Sequence, residues 1–305
     1  MSLSHRNFAQ RQFNVFHPSD FSIASEVAFA HALKIALQAH AHLDIMHIER
    51  DFEMEGPCWV DFPAVRRTLA RWGILPEGIV PEEVVRAGLR VRKVLAYSKD
   101  PVERMLHHLR AFPPDLIVLA THQRQGVDRW LHRAVAEPVA RRSGAMTLFV
   151  PRHGTGFVSR VDGSIELKKI LLPVDASPHP QIALDKAILF ANAVGCHWGE
   201  CRVLHVGDSS AVPSLDLTLG CGWSYEFLCN DGDVLSEIRK ADEAWSPDLI
   251  VLATAGHSDF LDALRGSTTE RVLRVAHCPV LAIPVHPART DRMGSIVSGR
   301  TGLDG

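Results

Sequence analysis

The 305-residue sequence is short of the features that define several large classes of protein. No apolar run reaches the roughly 18 residues needed to cross a bilayer as a helix. The opening MSLSHRNFAQRQ has no apolar core of the kind a secretory signal carries, so a cytoplasmic location is the expectation. With 33 basic and 35 acidic residues the net charge is only −2, which leaves no electrostatic footprint for nucleic acid or an anionic membrane. The six cysteines include no CxxC pair, and five of them (Cys196, Cys201, Cys221, Cys229 and Cys278) crowd into one half of the chain, a poor disulfide framework and a poor zinc site. Seventeen histidines contain no HExxH array; His107 and His108 are neighbours on a predicted helix and so diverge, which places them on a solvated face. There is no Walker lysine, no cluster of carboxylates for magnesium, and no nucleophile beside an obvious base. No metal site and no catalytic set are expected.

What the chain does contain is an internal repeat. The octapeptide PDLIVLAT occurs at Pro114 to Thr121 and again at Pro247 to Thr254. Each copy is followed at one common offset by a looser match: Arg133 answers Gly266, and FVP (Phe149 to Pro151) answers AIP (Ala282 to Pro284). A fixed repeat of this kind marks a duplication. The length suits two domains at roughly 100 to 200 residues each. The expected organisation is a first domain over 1–152 with an insertion near 50–88, a polar, glycine-containing linker over 153–167, a second domain over 168–286, and a disordered tail over 287–305.

Strands and helices alternate in both halves. In the second, KKILLPVDAS reads as a buried strand, PQIALDKAILFANAVG as a helix burying Ala183, Ala187, Phe190, Ala191 and Val194, and CRVLHVGD as the next strand. WSYEFLC is a weaker third strand; DVLSEIRKADEAW, PDLIVLAT, STTERVLRVA and CPVLAIPV complete the set. The first half runs in parallel through FNVFHPSDFS, an alanine-rich helix from Ile23 to Ala41, LDIMHIE, LRVRKVLA, PDLIVLAT and AMTLFVP, with two extra helical segments, DFPAVRRTLARWGIL and PEEVVRAG, forming a cap over one edge. This order predicts an α/β fold of two repeated doubly wound parallel-sheet domains, Rossmann-like or flavodoxin-like, with five strands each.

Ligands of such sheets bind beyond the carboxyl ends of the strands. In the second half the first strand ends at Pro173, Val174 and Asp175, and the fourth runs into ATAGHSDFLDALRGST, which spaces Ala253, Gly256, Gly266 and Ser267. Glycines here let backbone amides approach phosphates closely. Ser267 to Glu270 reads as a capping box, so Ser267 is the expected N-cap of a helix whose positive end faces an anion. With PVDAS, LHV, RGSTTERVL and CPVLAIP in this order, the chain resembles the universal stress protein family over nearly all of both halves. That family marks its ATP-binding members by glycine, two residues, glycine, nine residues, then glycine with serine or threonine; Ala253 departs from it at the first glycine. The resemblance implies that Asp175 faces the ribose, that main-chain groups of Val206 meet adenine, and that Gly256, Gly266, Ser267 and Thr268 hold phosphates. ATP, with Mg2+ or replaced by ADP or AMP, is the implied ligand. Pairing of the last strands of the two halves into an internal pseudo-dimer is implied as well, with a homodimer or a protein partner left open.

The first half keeps Pro18, Asp20, His47 and Ile48, but its loop ATHQRQGVDRWLHRAVAE puts Gln123, Arg133 and Ala134 where glycine and serine are needed. A bulky side chain bars phosphate and the N-cap hydroxyl is gone, so this copy is expected not to bind ATP in the family's manner. Plainer readings stand beside these. Asp20 and Asp175 can cap the helices that follow them, His47 and His205 can be satisfied core residues, and Trp198, Trp223 and Trp245 can be packing residues, Trp223 near the pocket rim. The leading expectation is a nucleotide-dependent stress-response protein; the alternatives are a slow ATPase or ATP-dependent enzyme, and a nucleotide-independent interaction module.

Overall fold

The duplicated aspartate of PDLIVLAT holds the sheet together at equivalent points. The computed structural model describes residues 13–49, 62–121, 135, 138–151, 156–218, 222–255 and 268–285. Its first half comprises β1 (Asn14–Pro18), α1 (Ile23–Gln38), β2 (His42–Glu49), α2 (Val65–Arg71), α3 (Pro81–Arg86), β3 (Arg90–Tyr97), α4 (Pro101–Ala111), β4 (Leu116–Thr121), a helical stretch over 138–143, and β5 (Met146–Pro151). The second comprises β6 (Lys169–Val174), α5 (Gln181–Ala193), β7 (Gly199–Val206), β8 (Trp223–Asn230), α6 (Val234–Trp245), β9 (Leu249–Ala255), α7 (Thr268–Val275) and β10 (Val280–Val285). Asp115, just before β4, accepts the amide of Asn14 at 2.9 Å and returns its own amide to the Asn14 carbonyl at 2.9 Å. Asp248, just before β9, accepts the amides of Lys168 and Lys169 at 2.8 and 2.9 Å and donates to the Lys169 carbonyl at 2.9 Å. Each carboxylate thereby fixes the start of its half's first strand against the fourth.

The ten strands form one sheet in the order β3-β2-β1-β4-β5-β10-β9-β6-β7-β8. Pairing is parallel within each half, and the halves meet in an antiparallel pair that sets Val280 opposite Phe149, Leu281 opposite Leu148 and Ala282 opposite Thr147. The expected contact between last strands is therefore present. Strands of the two halves run in opposite directions, so their carboxyl ends lie at opposite ends of the sheet. The near-continuous apolar runs of β4 and β9 are buried, as parallel strands covered on both faces require.

Local sequence explains the helices. Ser22 caps α1 by accepting the Ser25 amide, Asp100 caps α4 ahead of Pro101, and Asp233 caps α6 by accepting the Ser236 amide. Helix α1 stops at Gln38 rather than Ala41, because His40 turns into the left-handed region at φ 48° and redirects the chain into β2. Ala183, Ala187, Phe190, Ala191 and Val194 are all buried, as the stripe in α5 requires. The two insertion helices form as α2 and α3. Between β7 and β8 the described residues contain only a short 3-10 turn, Ser209–Ala211.

Three side-chain placements differ from expectation. His108 is buried rather than solvated: its ring lies 3.0 Å from Asp44 on β2, where the carboxylate gives the imidazole a partner inside the core. Trp198 is 61% exposed, lying flat beneath the Lys168 ammonium instead of packing in the interior. Trp223 begins β8, at the end of the strand away from the expected ligand rim, and packs against Gly199.

The segment joining the halves is also more than a polar tether. Phe157, Val158 and Leu167 are buried, and Val158 bridges Ile165 in a small antiparallel loop. Phe157 stands edge-on to His31 of α1 at 4.7 Å and to Phe190 of α5 at 6.1 Å, so one ring contacts both halves. The His31 ring accepts the Val158 amide at 3.3 Å while its other nitrogen donates to the Val27 carbonyl at 2.8 Å. The Trp72 indole donates to the Arg160 carbonyl at 3.1 Å, and Gly163, at φ 69°, lies so close over that indole that a Cβ would sit 2.5 Å from it. Glycine is required there by both conformation and space.

Two measurements follow. Phe157→Ala removes the ring shared by the halves and is expected to lower unfolding free energy by about 3–5 kcal/mol, read by chemical denaturation. Burial drives the pKa of both His17 and His31 down from 6.5 to about 4, against opposing hydrogen bonds to the Val118 and Val27 carbonyls. Each ring is neutral when folded and takes up its proton in the unfolded chain first, so its contribution is complete above pH 6.5 and is lost as pH falls toward about 4. Stability is expected to drop by about 2 kcal/mol per ring between pH 7 and pH 5, and His31→Gln should flatten that dependence by its share.

Candidate functional site

The carboxyl ends of β6, β7 and β9 lie side by side. Pro173 is in register with Leu204 and Val174 with His205, and β9 flanks β6 on its other side. Val174 is buried, Pro173 and Ala253 are partly buried, Val206 closes β7, and Asp175 is exposed one residue beyond β6. Thr268 begins α7 at the same end of the sheet. Gly256, Gly266 and Ser267, with Gln123, Arg133 and Ala134 of the first half, lie outside the described residues. The structure thus brings Pro173, Val174, Asp175, Val206, Ala253 and Thr268 to one rim.

Asp175 is not a helix cap. Helix α5 starts at Gln181 with Pro180 as its N-cap and no side-chain cap bond, and the Asp175 carboxylate accepts the adjacent Ala176 amide at 2.6 Å. The start of α5 is instead held by Gln181, which accepts the Asp216 amide at 2.8 Å and donates to its carbonyl at 3.0 Å. An exposed carboxylate is thereby left at the rim with lone pairs to offer. Thr254, one residue before the end of β9, is 4% exposed and its hydroxyl has no hydrogen-bond partner among the described residues. A buried hydroxyl without a partner is uncommon and marks a place where a polar group can be received.

His205 holds this rim in shape. Its ring nitrogens lie 3.3 Å from the Val174 carbonyl and 3.1 Å from the Asp208 carbonyl, tying the end of β6 to the turn after β7. Gly207 takes φ 133° there and donates to the Asn230 carbonyl at 2.9 Å.

The equivalent rim of the first half has the same frame and a different filling. His47 occupies the place of His205 and lies 2.7 Å from the carbonyl of Ser19, which occupies the place of Val174. Asp20, in the place of Asp175, accepts the amide and hydroxyl of Ser22 at 3.2 and 2.8 Å and so buttresses the cap of α1. The next residue decides the contrast. Phe21, at φ 62°, stacks on the His47 ring with centroids 4.0 Å apart, and Phe62 of the insertion meets Phe21 edge-on at 5.4 Å. In the second half that position is Ala176. Aromatic rings therefore cover the strand ends of the first half where the second half presents a methyl group. Setting DFS against DAS would have exposed this difference in sequence, whereas the contribution of Phe62 has no local signal.

Beneath this plug, buried His17 lies 3.0 Å from the Val118 carbonyl and 3.3 Å from the Ser25 hydroxyl, which in turn lies 3.1 Å from that of Ser19. These hydroxyls are enclosed and serve as internal partners. Among the described residues no three His, Cys, Asp or Glu side chains converge to hold a metal ion, and no helix is long and apolar enough to cross a membrane. A cavity of about 470 Å³ lined by Asp242, Ser246, Asp248 and His277 lies at the amino end of β9, away from the rim. Its acidic groups are engaged internally: Asp242 accepts from His277, and Asp248 serves the strand clamp.

Comparison with known proteins places this geometry in context. The model of the universal stress protein family matches residues 14–151 and 224–284. A universal stress protein of Methanocaldococcus jannaschii is 29% identical over 143 residues, covering 38% of this chain and 81% of that relative. The crystal structure of a universal stress protein from Archaeoglobus fulgidus superposes with a TM-score of 0.57 at 17% identity, covering 90% of this chain and 99% of that one. A protein of unknown function from Pseudomonas aeruginosa superposes with a TM-score of 0.54 at 14% identity, covering 92% and 95% of the two chains. At these identities the structures establish the shared fold.

Proposed function

From the premise that this chain belongs to the universal stress protein family, we propose that its second half binds an adenine nucleotide, ATP in the first instance and ADP or AMP by the same contacts, and that its first half does not. The observation that carries this reading is the exposed Asp175 carboxylate beside Ala176, set against the stacked Phe21, His47 and Phe62 at the equivalent place. In this reading Asp175 accepts hydrogen bonds from the ribose hydroxyls and main-chain groups of Val206 meet the adenine edge. Pro173, Val174 and Ala253 form the floor. The phosphates lie toward Gly256, Gly266, Ser267 and Thr268, where the amino end of α7 offers amide donors and a positive dipole. Magnesium travels with the phosphates and needs no cage of protein carboxylates.

The arrangement supports binding more than turnover. No described acid, base or nucleophile stands at the rim in hydrogen-bonded relation to another; His205 already spans two carbonyls. Occupancy, rather than product, is then the signal, consistent with a stress-response role within the cytoplasm.

Calorimetric titration with ATP and magnesium tests the proposal. Wild-type protein is expected to bind one nucleotide per chain. Asp175→Ala and Ala176→Phe should each weaken binding by about tenfold or more, the latter by copying the plug of the first half. Gly256→Trp should abolish binding by barring phosphate approach. Absence of heat with ATP and ADP at millimolar concentration would favour a nucleotide-independent interaction module, and sustained hydrolysis lost in Asp175→Ala would favour the enzyme reading.

A further inference from the structure

The insertion that supplies Phe62 also builds a groove of its own, at the edge of the sheet beside β3. Its volume is about 900 Å³, and its walls come from α2, α3 and β3. This is within the size range of small-molecule sites, about 300–1,000 Å³. The base is apolar: Phe62, Val65, Ile79, Val84 and Leu89 are buried beneath it, and Val85 presents an apolar side chain 49% exposed along one wall. Two cations line it. Arg66 on α2 is oriented by donating from Nη1 to the Ile79 carbonyl at 2.9 Å, which leaves most of its guanidinium donors unused. Lys93 on β3 sets its ammonium 5.7 Å from the centre of the Phe62 ring.

Neither cation has a carboxylate within salt-bridge distance among the described residues. Loss of water around Lys93, and secondarily the charge of Arg66, lowers its pKa. An anion between the two would relieve both effects. The groove has a sign preference as well as a shape, since Arg67 adds a third positive charge while Glu77 on the same rim opposes a second negative charge on the ligand. Inorganic phosphate, a dianion without apolar surface, suits such a wall poorly. A single carboxylate on an apolar body suits it well: the planar guanidinium fork matches carboxylate geometry, and the body gains the apolar wall.

We propose that this groove is a second ligand site, separate from the nucleotide rim, which binds an apolar monocarboxylate, with Arg66 and Lys93 on the carboxylate and Val85, Pro81 and Ala64 along its body. Nothing in the family comparison assigns a ligand here, and the site does not depend on whether the second half binds nucleotide.

Calorimetric titration of the full chain with octanoate, 1-octanol and inorganic phosphate, without nucleotide, tests it. Octanoate is expected to saturate one site per chain, with 1-octanol and phosphate each binding about tenfold more weakly or not at all. Lys93→Met and Arg66→Gln should each weaken octanoate by about tenfold, and Val85→Asp should abolish it. Lys93 is exposed on the strand edge, so its replacement probes binding even if the Arg66 variant folds poorly. No saturable octanoate binding by the wild-type chain, undiminished affinity in Lys93→Met, or phosphate binding as tight as octanoate would each overturn the proposal.

Discussion

The antiparallel contact between β5 and β10 is the constraint on which the rest of the molecule depends. A five-stranded parallel sheet ends in an open edge at its last strand, where unpaired amides and carbonyls invite association with another chain. Here each half closes the other's edge, at the register of Leu281 with Leu148. The apolar sequences TLFV and VLAI at this junction bury their side chains in the combined core. Because the pairing is antiparallel, it also sets the carboxyl ends of the strands in the two halves at opposite ends of the sheet. Any communication between them has to pass through the sheet or through the Phe157 loop that touches α1 and α5.

The duplication has kept its mechanical parts while exchanging their charges. Asp44 on β2 is in register with Arg92 on β3, and the two side chains lie 3.2 Å apart; Arg202 on β7 is in register with Glu226 on β8, and these lie 2.7 Å apart. The order of acid and base is inverted between the halves. Each arginine lies over an aromatic ring two residues before the repeated octapeptide, Arg92 over Phe112 at 3.8 Å and Arg202 over Trp245 at 4.3 Å. What has persisted is a cation on an aromatic face beside a carboxylate, and in both halves the pair is held by charge more than by hydrogen bonding, since Asp44 Oδ1 and Arg202 Nε have no hydrogen-bond partner among the described residues. The first half adds His108 to this cluster, which accounts for the burial of a histidine whose sequence neighbourhood reads as solvated.

The strands and most helices were legible because their signals are local. Parallel strands covered on both faces read as unbroken apolar runs, and the helices carry capping residues and apolar stripes. The end of the first strand in the second half was legible too, and Asp175 lies exposed one residue beyond β6; its part in a ligand site stays a proposal. What could not be read were features made by distant residues meeting. The loop at Phe157 is polar on average, and its burial depends on His31 of α1 lying opposite. The plug in the first half needs Phe21 in a left-handed conformation, His47 turned by its bond to Ser19, and Phe62 delivered across the 50–61 segment. The phosphate-side positions Gly256, Gly266 and Ser267 rest on their spacing alone.

The divergence of the two rims follows from which bonds were retained. Both halves keep the histidine at the end of the second strand and its contact with the carbonyl before the rim aspartate, His47 with Ser19 and His205 with Val174. That bond shapes the backbone and is indifferent to what lies above it, so its persistence preserves the fold without preserving the pocket. With the frame held, a single change at the following position, alanine in one copy and phenylalanine in the other, sets whether the strand ends face solvent or an aromatic stack. Placing Phe21 there removes apolar surface from water and stacks it on an imidazole, which stabilises the half that carries it. The half with alanine lacks that stabilisation and leaves Asp175 exposed. On the proposed reading, a rim kept open at the expense of available packing is what a ligand, rather than the fold, would require of that position.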